Sequence, residues 1–410
     1  MKTDRQQSTT ASCTHIGTQH VSHSSRSRRR VSASDRLSHK RDAVLITGGA
    51  GFIGTNLADR LLSDGHRVII YDNLSRRGSE SNLSWLFAKH GSLLEFERGD
   101  TRNFGALQAV IKHAAMVFHF AAQVAVTGSL VDPLFDFDVN ARGTLHLLEA
   151  IRELPNPPAL LFTSTNKVYG ALADLELYAK DRRYCPAGNG SPHGISETRC
   201  LDFHSPYGCS KGAADQYILD YARTFHLPAQ VFRMSCIYGP HQNGTEDQGW
   251  VAHFLIRANE RGAISIYGDG MQVRDLLFVD DLLDAFELAM RSIERTAGHA
   301  FNIGGGPQNS ASLLELLALI EEVRNEPCRV LFGEWRHADQ RYYISDTRKF
   351  RSLTGWTPRV SVREGIDSLQ AWLARRQSFD LASIGDLSRS HEPPAMSARS
   401  QFSLELPEGN

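Results

Sequence analysis

Short runs of β-branched and apolar residues alternate with longer amphipathic segments through the middle of the chain, and this alternation limits the possible folds more than any other feature. The order is typical of β-α-β units, which build a parallel sheet with helices on both faces. We therefore predict an α/β fold with a doubly wound parallel sheet. The predicted strands are residues 44–46, 68–71, 93–97, 117–120, 160–164 and 229–234, and the clearest predicted helices are residues 52–63 and 313–323.

The two ends of the chain differ in composition from its middle. Residues 1–41 are rich in Ser, Thr, Arg and His, which predicts a disordered extension, and residues 377–410 turn polar and contain proline, which predicts a loose tail. Between them, we assign residues 42–238 mainly to a dinucleotide-binding domain of the Rossmann type. We assign residues 239–376 mainly to a smaller substrate-binding lobe, of which some segments can return to the sheet.

Composition excludes several classes of function. A formal net charge of −1 over 410 residues gives no basic surface for nucleic acid or an anionic membrane, and no apolar run is long enough to span a bilayer. The six cysteines form no Cys-x-x-Cys pair, so the sequence predicts neither a disulfide framework nor a metal site. These features favour a soluble, cytoplasmic protein that acts on a small molecule.

A glycine-rich segment follows the first predicted strand and begins the first predicted helix. Gly48, Gly51 and Gly54 lie where a chain must turn tightly and approach a pyrophosphate at a helix N-terminus. Asp72 ends the second strand, where a carboxylate accepts hydrogen bonds from the adenosine ribose and repels a 2′-phosphate. The pattern favours NAD over NADP, although Arg76 and Arg77 could accommodate a phosphate, and a generic turn with a surface aspartate remains an alternative.

Three further residues, Thr165, Tyr207 and Lys211, form a candidate catalytic group. Tyr207 and Lys211 lie four positions apart, so on a helix a phenol and an ammonium share one face. The ammonium, together with the positive charge of a nicotinamide, is expected to lower the phenol pKa, and Tyr207 then acts as a base. Thr165 follows the predicted strand 160–164, at the edge of the sheet where ligands bind. A surface Tyr and Lys at this spacing are common by chance, so the glycine loop is needed to support the assignment.

Together these motifs resemble those of the extended short-chain dehydrogenase/reductase family of nucleotide-sugar epimerases and dehydratases, over about residues 43–372. The motifs that carry the resemblance are the glycine loop, Asp72, residues 118–122, 164–170, 207–211 and 268–275. The resemblance implies that Thr165 is the catalytic hydroxyl, Tyr207 the base, and Lys211 the lysine that also binds the nicotinamide ribose. The cofactor-binding residues that it implies are Gly48, Gly51, Phe52, Ile53, Gly54, Asp72, Asn73, Asp100, Ala121, Asn140, Tyr207 and Lys211.

The two residues that directly follow Thr165 indicate the type of reaction. Family dehydratases carry an Asp-Glu pair there, because elimination of water needs an acid and a base, whereas this chain has Asn166 and Lys167. The sequence therefore predicts a redox epimerase, in which NAD accepts a hydride from a carbinol carbon and returns it to the other face. Two open alternatives are a net dehydrogenase and a dinucleotide-binding sensor without turnover.

Longer blocks at residues 202–216 and 233–250 resemble those of epimerases that act at C2 of a CDP-linked dideoxyhexose. The resemblance implies a nucleotide-sugar substrate, and a UDP-hexose 4-epimerase remains the alternative. A homo-oligomer is possible, and nothing in the sequence tests it. Arg274 matches the arginine that binds the substrate pyrophosphate, and residues 244–250 are expected near the sugar. The predicted substrate-binding residues are Thr165, Asn166, Ser235, Cys236 and Arg274.

Overall fold

The computed structural model describes residues 43–187, 192–336 and 339–389, so the extension predicted at residues 1–41 and the last part of the predicted tail lie outside the described residues. The strands are β1 (Ala43–Thr47), β2 (Val68–Asp72), β3 (Leu94–Arg98), β4 (Ala114–His119), β5 (Ala159–Thr165), β6 (Leu177–Lys180), β7 (Arg183–Pro186), β8 (Ala229–Met234), β9 (Cys236–Tyr238), β10 (Ile264–Tyr267), β11 (Val273–Phe278), β12 (Ala300–Ile303), β13 (Ser310–Ser312), β14 (Val330–Gly333) and β15 (Tyr342–Tyr343).

Helices connect most of these strands. A π-helical turn, Asp138–Arg142, joins the helix Pro133–Phe137 to the helix Gly143–Arg152. The α-helices are α1 (Phe52–Ser63), α2 (Ser79–His90), α3 (Phe104–Ile111), α4 (Val126–Val131), α5 (Pro133–Phe137), α6 (Gly143–Arg152), α7 (Pro206–Thr224), α8 (Trp250–Asn259), α9 (Val279–Arg291), α10 (Ile293–Thr296), α11 (Leu313–Arg324), α12 (Arg348–Thr354) and α13 (Val362–Arg389).

The last helix, α13, extends into the segment for which the sequence predicts a loose tail. It continues to Arg389, whereas a loose tail is expected from residue 377. The first part of the helix is anchored by the buried side chains of Ile366, Leu369 and Leu373. A helix that is already nucleated adds residues at little cost, and the next proline comes only at Pro393.

The centre of the fold is a seven-stranded sheet in the order β12-β8-β5-β4-β1-β2-β3. Every neighbouring pair in it is parallel. All six predicted strands are present in this sheet, and the predicted doubly wound α/β fold is confirmed. The strand order reverses between β1 and β4, and at such a reversal the loops at the carboxyl ends of the strands separate and leave a crevice for ligands.

Apolar layers cover both faces of the sheet. Within β1, Val44 and Ile46 pack into one core cluster, while Leu45 packs into the other. Because alternate side chains of each strand are buried on opposite faces, the central strands read as continuous apolar runs in the sequence. This two-sided burial fixes the carboxyl ends of β1, β4 and β5 relative to one another.

The region after residue 238 builds smaller sheets, but it also contributes to the central one. Strands β9, β13 and β15 each pair with β11, and β10 pairs with β14. Strand β12 joins the central sheet beside β8, and Phe286 of α9 stacks on Phe232 and Phe120. The division into a domain at residues 42–238 and a lobe at residues 239–376 stays a prediction. Among the described helices, none has the length and apolar character needed to cross a bilayer.

Candidate active site

A cavity of about 460 Å³ lies at the carboxyl ends of the central strands, beside the reversal in strand order. It brings together most of the residues that the sequence assigns to the site, although they come from widely separated parts of the chain. The predicted residues that line it are Gly48, Gly51, Phe52, Ile53, Gly54, Asp72, Asn73, Asp100, Ala121, Thr165, Asn166, Tyr207, Lys211, Ser235 and Cys236. Asn140 and Arg274 are not among its lining residues.

Two glycines of the loop, Gly48 and Gly54, leave no room for a side chain. Gly48 has a φ of +70°, and a Cβ atom there would lie 2.6 Å from the backbone nitrogen of Ala121. At Gly54, a Cβ atom would lie 2.5 Å from the Cα atom of Gly49. No side chain caps the N-terminus of α1 at Gly51, so the first N–H groups of that helix are available to an anion. The loop therefore fits the pyrophosphate of a dinucleotide.

Two acidic side chains, Asp72 and Asp100, also line this cavity. The carboxylate of Asp72 accepts the N–H groups of Ala50 at 3.1 Å and Leu74 at 2.8 Å. Burial raises the pKa of Asp72, and these two hydrogen bonds oppose the increase. Asp100 accepts a hydrogen bond from Asn73 at 3.0 Å, and its pKa falls to about 2, mainly through the side-chain hydrogen bond from Arg102. Such carboxylates suit the hydroxyl groups of an unphosphorylated adenosine ribose.

The three predicted catalytic side chains meet in the same cavity. Thr165 is the last residue of β5, and Tyr207 lies in the first turn of α7. The side chain of Ser205 caps this helix by accepting the N–H of Gly208 at 3.0 Å, which fixes where the helix begins. The side chain of Thr165 hydrogen-bonds the Tyr207 phenol, and Lys211 follows one turn later with only 3% of its surface exposed.

The protein groups alone shift the pKa of Tyr207 in the direction opposite to the predicted one. Burial raises it to about 12, although the hydrogen bond from Thr165 opposes the increase. Burial also lowers the pKa of Lys211 to about 7, against the carboxylates of Asp215 and Asp136. A lysine whose pKa is lowered in this way is protonated less completely near neutral pH, and so it provides less positive charge to the phenol. The expected fall in the phenol pKa therefore depends on the charge of the nicotinamide.

Arg274 of β11 lies just outside the cavity and is paired with an acid that sequence reasoning missed. Its Nη2 atom donates to Asp339 Oδ1 at 2.7 Å, and the Nζ atom of Lys167 lies 3.4 Å from the same oxygen. Burial by itself raises the pKa of Asp339, but the charges of Arg274 and Lys167 outweigh it and lower the pKa. Asp339 is thus held as a carboxylate between two cations.

Asn140 lies behind the cavity and supports one of its loops. Its Nδ2 atom donates to the carbonyl of Gln123 at 3.0 Å, and its Oδ1 atom accepts the N–H of Gln123 at 2.9 Å. The same amide group bonds to Asp136 and Ser210, and Asn140 is 1% exposed. Its contacts therefore hold the loop after β4, and the structure does not bring it into the cavity.

Ser235 and Cys236 line the cavity, but both side chains are engaged with protein groups. The Ser235 hydroxyl donates to the carbonyl of Asp275 at 2.9 Å and also to its carboxylate. The Trp250 indole N–H donates to the Cys236 sulfur at 3.3 Å, and burial raises the pKa of the thiol. A protonated thiol is a poor nucleophile, so the geometry gives no support to thiol chemistry at Cys236.

Comparison with known proteins assigns the family. The NAD dependent epimerase/dehydratase family matches residues 44–304. The chain belongs to this family. The match confirms the predicted class of enzyme, an NAD-dependent nucleotide-sugar epimerase, and its cofactor, NAD.

Three relatives of this epimerase cover most of its chain. A CDP-paratose 2-epimerase of Salmonella typhi is 43% identical over 80% of this chain and 98% of its own length. The solved UDP-glucose 4-epimerase of Thermotoga maritima with UDP-glucose has a TM-score of 0.70 at 30% identity, over 82% of this chain and 99% of its own. The UDP-glucose 4-epimerase of Thermus thermophilus in complex with NAD has a TM-score of 0.67 at 29% identity, over 80% and 98%.

Several lining residues of the epimerase were not predicted as site residues. The buried Ser164 hydroxyl has no hydrogen-bond partner among the described groups, so it is available to a ligand in the cavity. Arg76 was considered only for a ribose phosphate, yet it lies close enough to Tyr207 for its charge to lower the phenol pKa. It also donates to Gln248 at 3.2 Å, which places the loop before Trp250 at the cavity. No local sequence pattern identifies such contacts.

We expect Asp72→Ala to weaken NAD binding by about tenfold or more and to reduce the preference for NAD over NADP, because charge-assisted hydrogen bonds to the ribose are lost. Titration of each dinucleotide by fluorescence measures both effects. Asp64→Ala is the matched control, since Asp64 is an exposed residue at the end of α1. Unchanged affinity for both dinucleotides in Asp72→Ala would contradict the assignment.

Proposed function

We propose that this epimerase inverts C2 of CDP-paratose to give CDP-tyvelose, with Thr165, Tyr207 and Lys211 as its catalytic residues. The observation that carries the proposal is the placement of these three side chains in one cavity with the glycine loop. The choice of sugar is supported by 43% identity to a CDP-paratose 2-epimerase over 80% of this chain, against 34% identity to a UDP-glucose 4-epimerase over 79% of it.

In this proposal, the chain's own residues handle the proton at the reacting carbon. Thr165 donates a hydrogen bond to the C2 oxygen, and Tyr207 as phenolate accepts the proton of that hydroxyl group. Bound NAD supplies the acceptor, and later the donor, of the hydride. Tyr207 then returns its proton to the oxygen when the carbinol is restored, so neither protons nor electrons are consumed in a cycle. Direct oxidation suits C2 because no neighbouring carbonyl group acidifies its C–H bond.

The surroundings of residues 166 and 167 favour epimerisation over elimination. The Asn166 amide lies 3.4 Å from the side-chain oxygen of Gln340, and Lys167 pairs with Asp339. The carboxylate in these contacts belongs to Asp339. Burial raises the pKa of Asp339, but the charges of Arg274 and Lys167 outweigh burial and lower it. A carboxylate held ionised in this way is a poor general acid.

Residues 42–238 supply most of the proposed cofactor contacts, and residues 239–376 supply the proposed contact to the diphosphate. Gly48, Gly51 and the first turn of α1 would hold the dinucleotide pyrophosphate, and Asp72 the adenosine ribose. Arg274 would bind the substrate diphosphate by exchanging its bond with Asp339 for phosphate oxygens. A planar guanidinium group is suited to such bidentate recognition.

The second candidate is a UDP-hexose 4-epimerase, since the same Thr, Tyr, Lys and NAD serve inversion at C4. Its support is the similarity to the Thermotoga maritima enzyme, which was solved with UDP-glucose. The two candidates differ in how the sugar is seated in the cavity, while the catalytic groups stay the same. A sensor that binds the dinucleotide without turnover is disfavoured by the intact group of Thr165, Tyr207 and Lys211.

The test offers CDP-paratose and UDP-galactose to the purified protein in parallel and follows the configuration of each ring carbon by NMR. We expect inversion at C2 of the CDP-sugar, with no net change in absorbance at the NADH wavelength. Inversion of the UDP-sugar alone would overturn the choice of substrate and leave the hydride mechanism intact. Stoichiometric release of NADH would instead identify a dehydrogenase.

A further inference from the structure

Asp136 is a fully buried carboxylate directly behind the proposed catalytic helix. It lies on α5 with 0% of its surface exposed, 74 positions from Ser210. One of its oxygens accepts a hydrogen bond from the Ser210 hydroxyl, and the other accepts one from the Asn140 amide at 3.1 Å. Ser210 stands between Tyr207 and Lys211 on α7, and its hydroxyl oxygen is 3.2 Å from the Tyr207 carbonyl.

Two carboxylates act on the Lys211 ammonium, but they differ in how their charge is balanced. Asp215, one turn further along α7, forms a bidentate ion pair with Arg233 of β8. The Nε and Nη2 atoms of Arg233 donate to its two carboxylate oxygens at 2.8 and 2.9 Å. Asp136 forms no ion pair with an arginine in the part of the chain that the structure describes, and its hydrogen-bond donors are neutral. Both carboxylates oppose the effect of burial on the pKa of Lys211, and Asp215 does so more strongly than Asp136. Asp136 differs from Asp215 in that no arginine of the described residues balances its charge.

The remaining neighbours of Lys211 add little charge. The ammonium lies 4.1 Å from the centre of the Phe162 ring. His119 of β4 is also close, but burial followed by the charge of Lys211 lowers its pKa to about 3, so this histidine is neutral at physiological pH. Besides burial and Thr165, two charges act on Tyr207: the charge of Asp136 raises the phenol pKa, and the charge of Arg76 lowers it.

We propose that Asp136 is a positioning residue for the reaction: it fixes Ser210 behind Tyr207 and Lys211, and its negative charge offsets part of the cost of burying the Lys211 ammonium. The activity part of this inference rests on the proposed function. An ammonium at position 211 stabilises the Tyr207 phenolate, and burial without a counter-charge would favour the neutral amine instead. The carboxylate offsets that burial from outside the set of residues that line the cavity.

The charge effect can be separated from the hydrogen-bond effect with two variants. Asp136→Asn keeps an oxygen for the Ser210 hydroxyl but removes the charge and the oxygen that accepts from Asn140, whereas Ser210→Ala keeps the charge and removes the hydrogen bond from Ser210. Lysine labelled with ¹³C at Cε reports the titration of Lys211 by NMR, and Lys211→Arg identifies its signal. We expect the Lys211 titration to move down by about one pH unit or more in Asp136→Asn and to stay in place in Ser210→Ala.

The pH profile of kcat gives the second readout. In Asp136→Asn the alkaline limb should move down by about the same one unit, with about tenfold lower kcat at pH 8 and a smaller loss at lower pH. The matched control is Asp138→Asn, since Asp138 is two positions away and pairs with Arg142 at the surface. Its profile and its Lys211 signal should equal those of the unmodified enzyme.

A folded Asp136→Asn protein with an unchanged Lys211 titration would overturn the inference. A shifted titration in a protein that turns over neither nucleotide sugar would overturn the proposed function alone. If Asp136→Asn does not fold, the test is completed by thermal unfolding of two further proteins. One carries Lys211→Met, and the other, the double variant, carries both Asp136→Asn and Lys211→Met. Recovery of folding in the double variant supports the coupling of the two charges, and its failure to recover contradicts that coupling.

Discussion

Replacement of Tyr207 by phenylalanine is expected to lower kcat by about 10³-fold, within the range that a positioned general base contributes. The change removes one oxygen from a side chain that is 9% exposed and bonded to Thr165. Because the ring remains, the cavity keeps its shape and NAD should bind with nearly unchanged affinity. Steady-state turnover of the accepted nucleotide sugar, together with NAD binding by fluorescence, measures both quantities.

The matched control for this prediction is Tyr217→Phe on the same helix. Tyr217 is 44% exposed and contacts the ring of Tyr221, away from the cavity-lining residues. It should keep full activity. Full activity in Tyr207→Phe with normal NAD binding would show that another group takes the hydroxyl proton, and the proposed mechanism would then be wrong.

Replacement of Arg233 by methionine is expected to destabilise the fold by about 3–5 kcal/mol, the typical cost of leaving one member of a buried ion pair unpaired. Arg233 pairs through two nitrogens with Asp215, and the two side chains are 5% and 0% exposed. It also donates to the Tyr169 hydroxyl at 3.1 Å. Urea unfolding with and without the change gives the difference in free energy of unfolding.

Arg223→Met is the control, because Arg223 pairs with Asp220 at the surface of α7, the helix that carries Asp215, and its side chain is 78% exposed. A surface pair contributes roughly 0–1 kcal/mol, so this variant should unfold almost as the unmodified protein does. Equal losses of stability in both variants would mean that the buried pair has no special contribution.

Much of the fold and of the candidate site could be predicted from sequence, because those features are encoded locally. The helix at residues 52–63 and the strand at residues 229–234 begin and end where the apolar pattern indicates. The glycine spacing, the acid at the end of β2 and the four-residue spacing of Tyr207 and Lys211 also depend on neighbouring positions. Hydrophobic periodicity and backbone geometry act over a few residues, so a single sequence is enough to detect them.

The return of β12 to the central sheet is a feature that the chain reveals only when folded. Residues 300–303 form a strand too short to stand out in the sequence, and their place beside β8 depends on packing across the sheet. The bond between Arg274 and Asp339 likewise joins positions 65 residues apart. Such pairings are decided by which surfaces meet in three dimensions.

The sequence by itself determined the parallel sheet, the dinucleotide loop and the identity of the proposed catalytic groups. Only the tertiary structure decided the electrostatic state of those groups. It buried Tyr207 and Lys211, moved their pKa values toward the neutral forms, and placed Asp136 behind them. The physical reason is that the energy of a charge depends on all surrounding groups and on the exclusion of water, and these neighbours come from distant parts of the chain.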